Sequence, residues 1–189
     1  MMLSAEDIDR YVEQYQAVEP LYPVESEAIE TLPTALQTGE YGWKDTEWIV
    51  QWCFRRYLGD YPDTDRRRIE DAFATESFES VHTAISTAAE TDDLHTAVDA
   101  LTALSGVDIY VASALLFFIS PEQYLVIGPR EWEVLSESGF LDRTYPASLT
   151  IDAYQEYLTA CTQLATETDR SFWECYMGLW QCWKSEVDH

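Results

Sequence analysis

Lysine is nearly absent from this chain: Lys44 and Lys184 are the only two, and every other basic residue is an arginine. The basic side chains number 11 against 35 Asp and Glu, which leaves a net charge of -24 and a pI near 4.1. A surface this acidic and lysine-poor fits a salt-adapted cytoplasm, where excess carboxylate keeps a protein hydrated, so a halophilic source is expected. The other use of such acidity is to mimic DNA or to hold a basic partner. No apolar stretch approaches the length needed to cross a bilayer, which argues against a membrane partner. The first residues, Met1 to Asp7, carry neither a basic region nor an apolar signal core, so a cytoplasmic location is expected. Four cysteines beside seven tryptophans do not form a disulfide framework, and free, mostly buried thiols are expected.

Period-two alternation is missing, as are Asn-Gly and Asp-Gly hairpin signals, internal repeats and Gly/Ser-rich linkers. What remains is helical periodicity within 189 residues and a 47% hydrophobic fraction, enough for one sizeable core. The expectation is an all-α fold of nine or ten helices in a single domain over 1–189, divisible into two lobes. Ser4 and Asp7 open a first helix over 4–19, with Ile8, Tyr11, Val12 and Tyr15 on one face. Leu21, Tyr22, Pro23 and Val24 should break it, and Pro33 should kink or split a second helix over 25–37. An aromatic-rich helix over 43–58, with Thr46 as a cap, follows the Gly39 and Gly42 turn. Further helices are expected over 63–74, 78–89, 92–104, 109–119, 130–138, 151–165 and 170–186. The 109–119 stretch is almost wholly apolar and belongs at the centre of the core.

Three blocks stand out within 101–135: Leu104-Ser-Gly106-Val107-Asp108, then Val111-Ala112-Ser113-Ala114-Leu115-Leu116, then Pro121 with Tyr124-Leu-Val-Ile127. A glycine turn, a small-residue buried helix and an apolar run at this spacing resemble the helix-hairpin-helix core of the base-excision DNA glycosylase superfamily, with 92–120 as the hairpin. The stretches 43–56 and 170–180 resemble a degenerate branch of that superfamily. The resemblance implies a two-lobed helical glycosylase fold and a hairpin whose turn N–H groups, with the N-terminus of its second helix, hold a DNA phosphate. Gly106 and Val107 would then touch nucleic acid.

Three positions depart from the family pattern. Where a second turn glycine is expected stands Asp108, a carboxylate suited to cap the following helix, which would repel a phosphate by about 1 to 4 kcal/mol at contact. Tyr110 replaces the lysine that forms an imine with the sugar, and a phenol cannot form one. Gly128 stands where the resemblance places the catalytic aspartate, and glycine supplies no acid, base or counter-charge. Base excision is therefore not expected unless a displaced carboxylate, Glu131 or Asp142, takes over.

Six basic residues cluster at Lys44, Arg55, Arg56, Arg66, Arg67 and Arg68. They suit a phosphate-tracking patch beside Trp43, Trp48 and Trp52, although Asp63, Asp65, Glu70 and Asp71 can tie up the arginine triplet as helix-surface ion pairs. Cys175 and Cys182 have the separation of two iron-sulfur ligands, but the two further ligands are missing. His82, His95 and His189 have no helical metal-ligand spacing, so neither metal nor cofactor is expected. Trp173, Tyr176, Met177 and Trp180 recur as one face of the last helix and read as core. Three functions remain open: a non-excising, DNA-associated glycosylase-fold protein, an active base-excision or nucleoside-processing enzyme using a displaced acid, and a protein-interaction module that leaves nucleic acid alone.

Overall fold

A computed structural model describes residues 3–187. Among them are ten α-helices and no strand: α1 Ala5–Val18, α2 Tyr22–Thr38, α3 Trp43–Arg55, α4 Asp63–Phe73, α5 Phe78–Glu90, α6 Leu94–Thr102, α7 Ile109–Ile119, α8 Pro129–Glu137, α9 Ile151–Thr168 and α10 Phe172–Val187. The chain divides into two compact units, the first made of Met1–Val24 with Pro121–His189 and the second of Glu25–Ser120. His189 lies outside the described residues. No helix is long and apolar enough to cross a membrane among the residues described.

In the first unit, α1 lies along α10, and α8 and α9 flank α10. Ser4 and Asp7 complete a reciprocal capping box that starts α1, satisfying two N–H groups that a helix end leaves open. Ile8, Tyr11 and Tyr15 are buried from α1, and Tyr15 meets Tyr176 and Trp173 edge-on with centroids 5.9 and 6.2 Å away. Gly178 lets α1 approach this closely, since a Cβ there would lie 2.8 Å from Ile8 Cδ1. Tyr176, Met177 and Trp180 are buried and Trp173 is half-buried, so this stripe is mainly core.

The second unit is built around α7, which buries every residue from Tyr110 to Ile119. Helices α3, α5 and α6 pack on it, while α4 packs on α3. Each large apolar side chain sealed there, such as Phe117 or Phe118, stabilises by about 1.5–3 kcal/mol.

Four local expectations need correction. The break after α1 falls at Glu19, Pro20 and Leu21, and Tyr22 and Pro23 already belong to α2, because proline in the first turn forfeits an N–H that has no helical acceptor. Pro33 does not split α2, which runs continuously to Thr38. Thr46 is not a cap: Gly42 holds that position, its N–H donating to Asp45 at 2.8 Å, while Thr46 is buried one turn on with its hydroxyl donating to the Trp43 carbonyl. The same helix stops at Arg55, and a turn reaches Gly59.

Candidate functional site

Helices α6 and α7 pack on each other as consecutive elements, and the turn between them is closed from within. The Val107 N–H donates to the Leu104 carbonyl at 3.1 Å. Asp108 caps α7, accepting from the Val111 N–H at 2.9 Å. The Ser105 N–H donates to Glu76 Oε1 at 2.7 Å, reaching a carboxylate from the segment between α4 and α5. Hydrogen bonds from the Ser105 side chain, and then from its backbone, hold the Glu76 carboxyl below its usual range against a smaller opposing desolvation. Two carboxylates thus accept from N–H groups of the turn and the helix start. Gly106 has φ +77°, and a Cβ there would lie 2.6 Å from the Ile69 carbonyl oxygen and 3.0 Å from the Phe73 nitrogen. Its missing side chain serves close packing against α4.

In the first turn of α7, Tyr110 is buried with its ring 5.9 Å from Phe54 and parallel to Tyr61 at 6.5 Å. Its hydroxyl lies 3.0 Å from that of Tyr57 and 3.1 Å from the Cys53 carbonyl, and accepts from Arg56 at 3.4 Å. Burial pushes this phenol well above its ordinary pKa, so it stays neutral. Arg56, expected at a nucleic-acid surface, is only 2% exposed, with its guanidinium over the rings of Tyr57 and Trp52 at 5.0 and 5.6 Å. Trp52 in turn donates its indole N–H to the buried Glu25 carboxylate at 2.7 Å. Around Tyr110 the second unit therefore carries a polar core of Glu25, Trp52, Arg56, Tyr57 and Tyr110 itself. Glu25, Tyr57 and Glu76 escape sequence reasoning, since no local pattern ties them to the hairpin.

Gly128, Glu131 and Asp142 belong to the first unit. The run Tyr124 to Ile127 is buried without helical bonding, and its carbonyls need partners. The Tyr154 and Tyr157 hydroxyls of α9 donate to the Leu125 and Val126 carbonyls at 3.2 and 2.9 Å. This run leads into Gly128, the cap of α8, whose carbonyl accepts from the Trp132 N–H, with Pro129 opening the helix. Glu131, in the first turn of α8, is 0% exposed. Asp142 is exposed on the following loop.

Among the basic residues, Lys44 pairs with Glu47 at 2.6 Å, and Arg66 is held by Asp63 and Glu70 at 3.1 and 3.0 Å. Arg67 reaches Asp63 at 3.7 Å with both side chains largely in solvent, where such a pair contributes little. Arg55, Arg67 and Arg68 are exposed. Arg55 and Arg66 border a 420 Å³ depression with Phe54, Leu58 and Tyr61, and Leu58 is both 52% exposed and left-handed, φ 53°. All four cysteines are free and buried, and burial pushes the Cys175 thiol up to about 12. No group of three or more His, Cys, Asp or Glu is placed to hold a metal among the described residues.

No protein-family model matches the sequence, and no curated protein does. Two solved structures match the fold. One is an 8-oxoguanine glycosylase/lyase of Methanocaldococcus jannaschii in complex with a 15mer DNA containing 8-oxoguanine: TM-score 0.52, 16% identity, covering 94% of this chain and 97% of that one. The other is an 8-oxoguanine DNA glycosylase of the same organism: TM-score 0.52, 14% identity, covering 93% and 92%. Over nearly its whole length, then, this all-helical chain has the fold of 8-oxoguanine DNA glycosylases.

Proposed function

We propose that this chain is a glycosylase-fold protein that binds DNA and does not excise bases. The observation that carries this reading is the environment of Tyr110: a neutral, interior phenol bonded to Arg56, Tyr57 and the Cys53 carbonyl stands at the family's amine position. Imine formation needs a nucleophilic amine, and a phenol cannot substitute for one. Gly128 adds nothing to stabilise a positively charged sugar. For DNA, the exposed Arg55, Arg67 and Arg68 are the groups that can reach phosphates, and a neighbouring fold was crystallised with DNA. The protein should release no base from duplexes carrying 8-oxoguanine or deaminated bases, and borohydride should trap no covalent adduct on them or on abasic DNA. Anisotropy should show DNA binding that weakens with salt and is lost when Arg55, Arg67 and Arg68 become glutamine. Base release, a trapped adduct, or no binding at the lowest salt that keeps the fold would each refute the reading.

The burial of Glu131 favours a second reading, in which this carboxylate replaces the missing aspartate in an active base-excision or nucleoside-processing enzyme. It requires base release that disappears in Glu131→Gln. Asp142, out on its loop, has no such support.

A further inference from the structure

We propose that Glu76, with Asp108, is an internal stand-in for a DNA phosphate, so that the hairpin turn takes no phosphate and any nucleic-acid contact of this chain is made elsewhere. The inference rests on reading α6 and α7 as a glycosylase-type hairpin, but not on the absence of catalysis. A turn that receives phosphate offers outward N–H groups to an anion, and glycine lets that anion approach the backbone. Here the Ser105 N–H is bonded to the Glu76 carboxylate at 2.7 Å, a charge-assisted contact, and the Val111 N–H to Asp108 at 2.9 Å. The glycine's open side is filled by the backbone of α4, at Ile69 and Phe73. A phosphate at either N–H would have to displace the carboxylate already bonded there, a like charge. Glu76 comes from outside the hairpin, 29 residues before Ser105, so the second unit assembles the blockade in three dimensions. Neither carboxylate is needed to close the turn, because the Val107 N–H to Leu104 carbonyl bond already does so.

Inorganic phosphate is the probe, titrated against the full-length, ¹⁵N-labelled protein at constant ionic strength maintained with KCl. In the wild type the Ser105, Gly106 and Val111 amide signals should not move with phosphate, and the Ser105 signal should follow a carboxyl titration on acidification. In the double variant Glu76→Ala, Asp108→Asn, where asparagine keeps the helix cap without its charge, the Ser105 and Gly106 signals should shift saturably. A saturable phosphate shift in the wild type, or a Ser105 signal blind to carboxyl titration, overturns the proposal without any variant. A folded double variant that stays unresponsive overturns it too. Base release by the wild type would refute the proposed function and leave this result unaffected.

Discussion

Gly106 combines two demands that no other residue meets: a left-handed backbone and no Cβ against the α4 backbone. Gly106→Ala should therefore destabilise by ~3 kcal/mol or more, since backbone strain of ~1–3 kcal/mol adds to a contact too short to survive. Denaturant midpoints at fixed KCl measure it, and a loss under ~1 kcal/mol would contradict this packing. Tyr110 is the second decisive residue. Removing only its hydroxyl, Tyr110→Phe, deprives the buried Arg56, Tyr57 and Cys53 carbonyl of a shared partner and should cost about 1–3 kcal/mol. Tyr110→Lys should not create a lyase: an ammonium beside the buried Arg56 guanidinium is repelled, so the variant should lose stability and still yield no borohydride-trapped adduct.

Among the elements, α7 depends on one side chain, Asp108, for the cap at its start. Asp108→Ala should cost about 0.5–2 kcal/mol through the lost cap, whereas Asp108→Asn should be close to neutral. Equal losses in thermal melts would mean that charge, rather than hydrogen bonding, is what the helix start uses. Helix α2 shows where local reasoning stops. Pro33 removes an internal hydrogen bond, yet the helix continues through it, with Leu36 buried and Gln37 donating to the Ile119 carbonyl that ends α7. Tertiary contacts outweigh one proline, which costs about 3 kcal/mol in an isolated helix. The arginine triplet separates in a similar way, with Arg66 committed to Asp63 and Glu70 and Arg68 exposed.

For the whole molecule, charge dominates. At -24, self-repulsion is long-ranged and screened by salt, so the melting temperature should rise steadily with KCl. A melt independent of salt would show that the carboxylates are already neutralised in pairs. Acidification brings two opposed effects. Glu137 titrates above its usual range, chiefly through its hydrogen bond with Glu186, so its protonation on lowering the pH from 7 removes repulsion and favours the fold. Asp7, Glu47, Glu76 and Asp93 are held below their usual ranges by hydrogen bonds, chiefly from Ser4, Lys44, Ser105 and Thr96 respectively. Their stabilising contributions are complete above the unfolded carboxyl values, near 4, and are lost as pH falls through the lower folded values. Stability at fixed salt should peak at mildly acidic pH and collapse below it, which a pH series of denaturant midpoints would reveal.

By itself the sequence determined the helical class, the Ser4 and Asp7 capping of α1 and the cap of α7 at Asp108. All of these depend on residue identity and on spacing within a few turns of chain, where periodicity and side-chain chemistry act directly. The tertiary structure alone decided that Arg56 is interior, that Glu131 is buried while Asp142 is exposed, and that Glu76 reaches the Ser105 amide. It also decided that the glycine of the turn faces α4. These are matters of burial and of contact between residues far apart in sequence, and chain closure between distant segments leaves no periodic trace in either one.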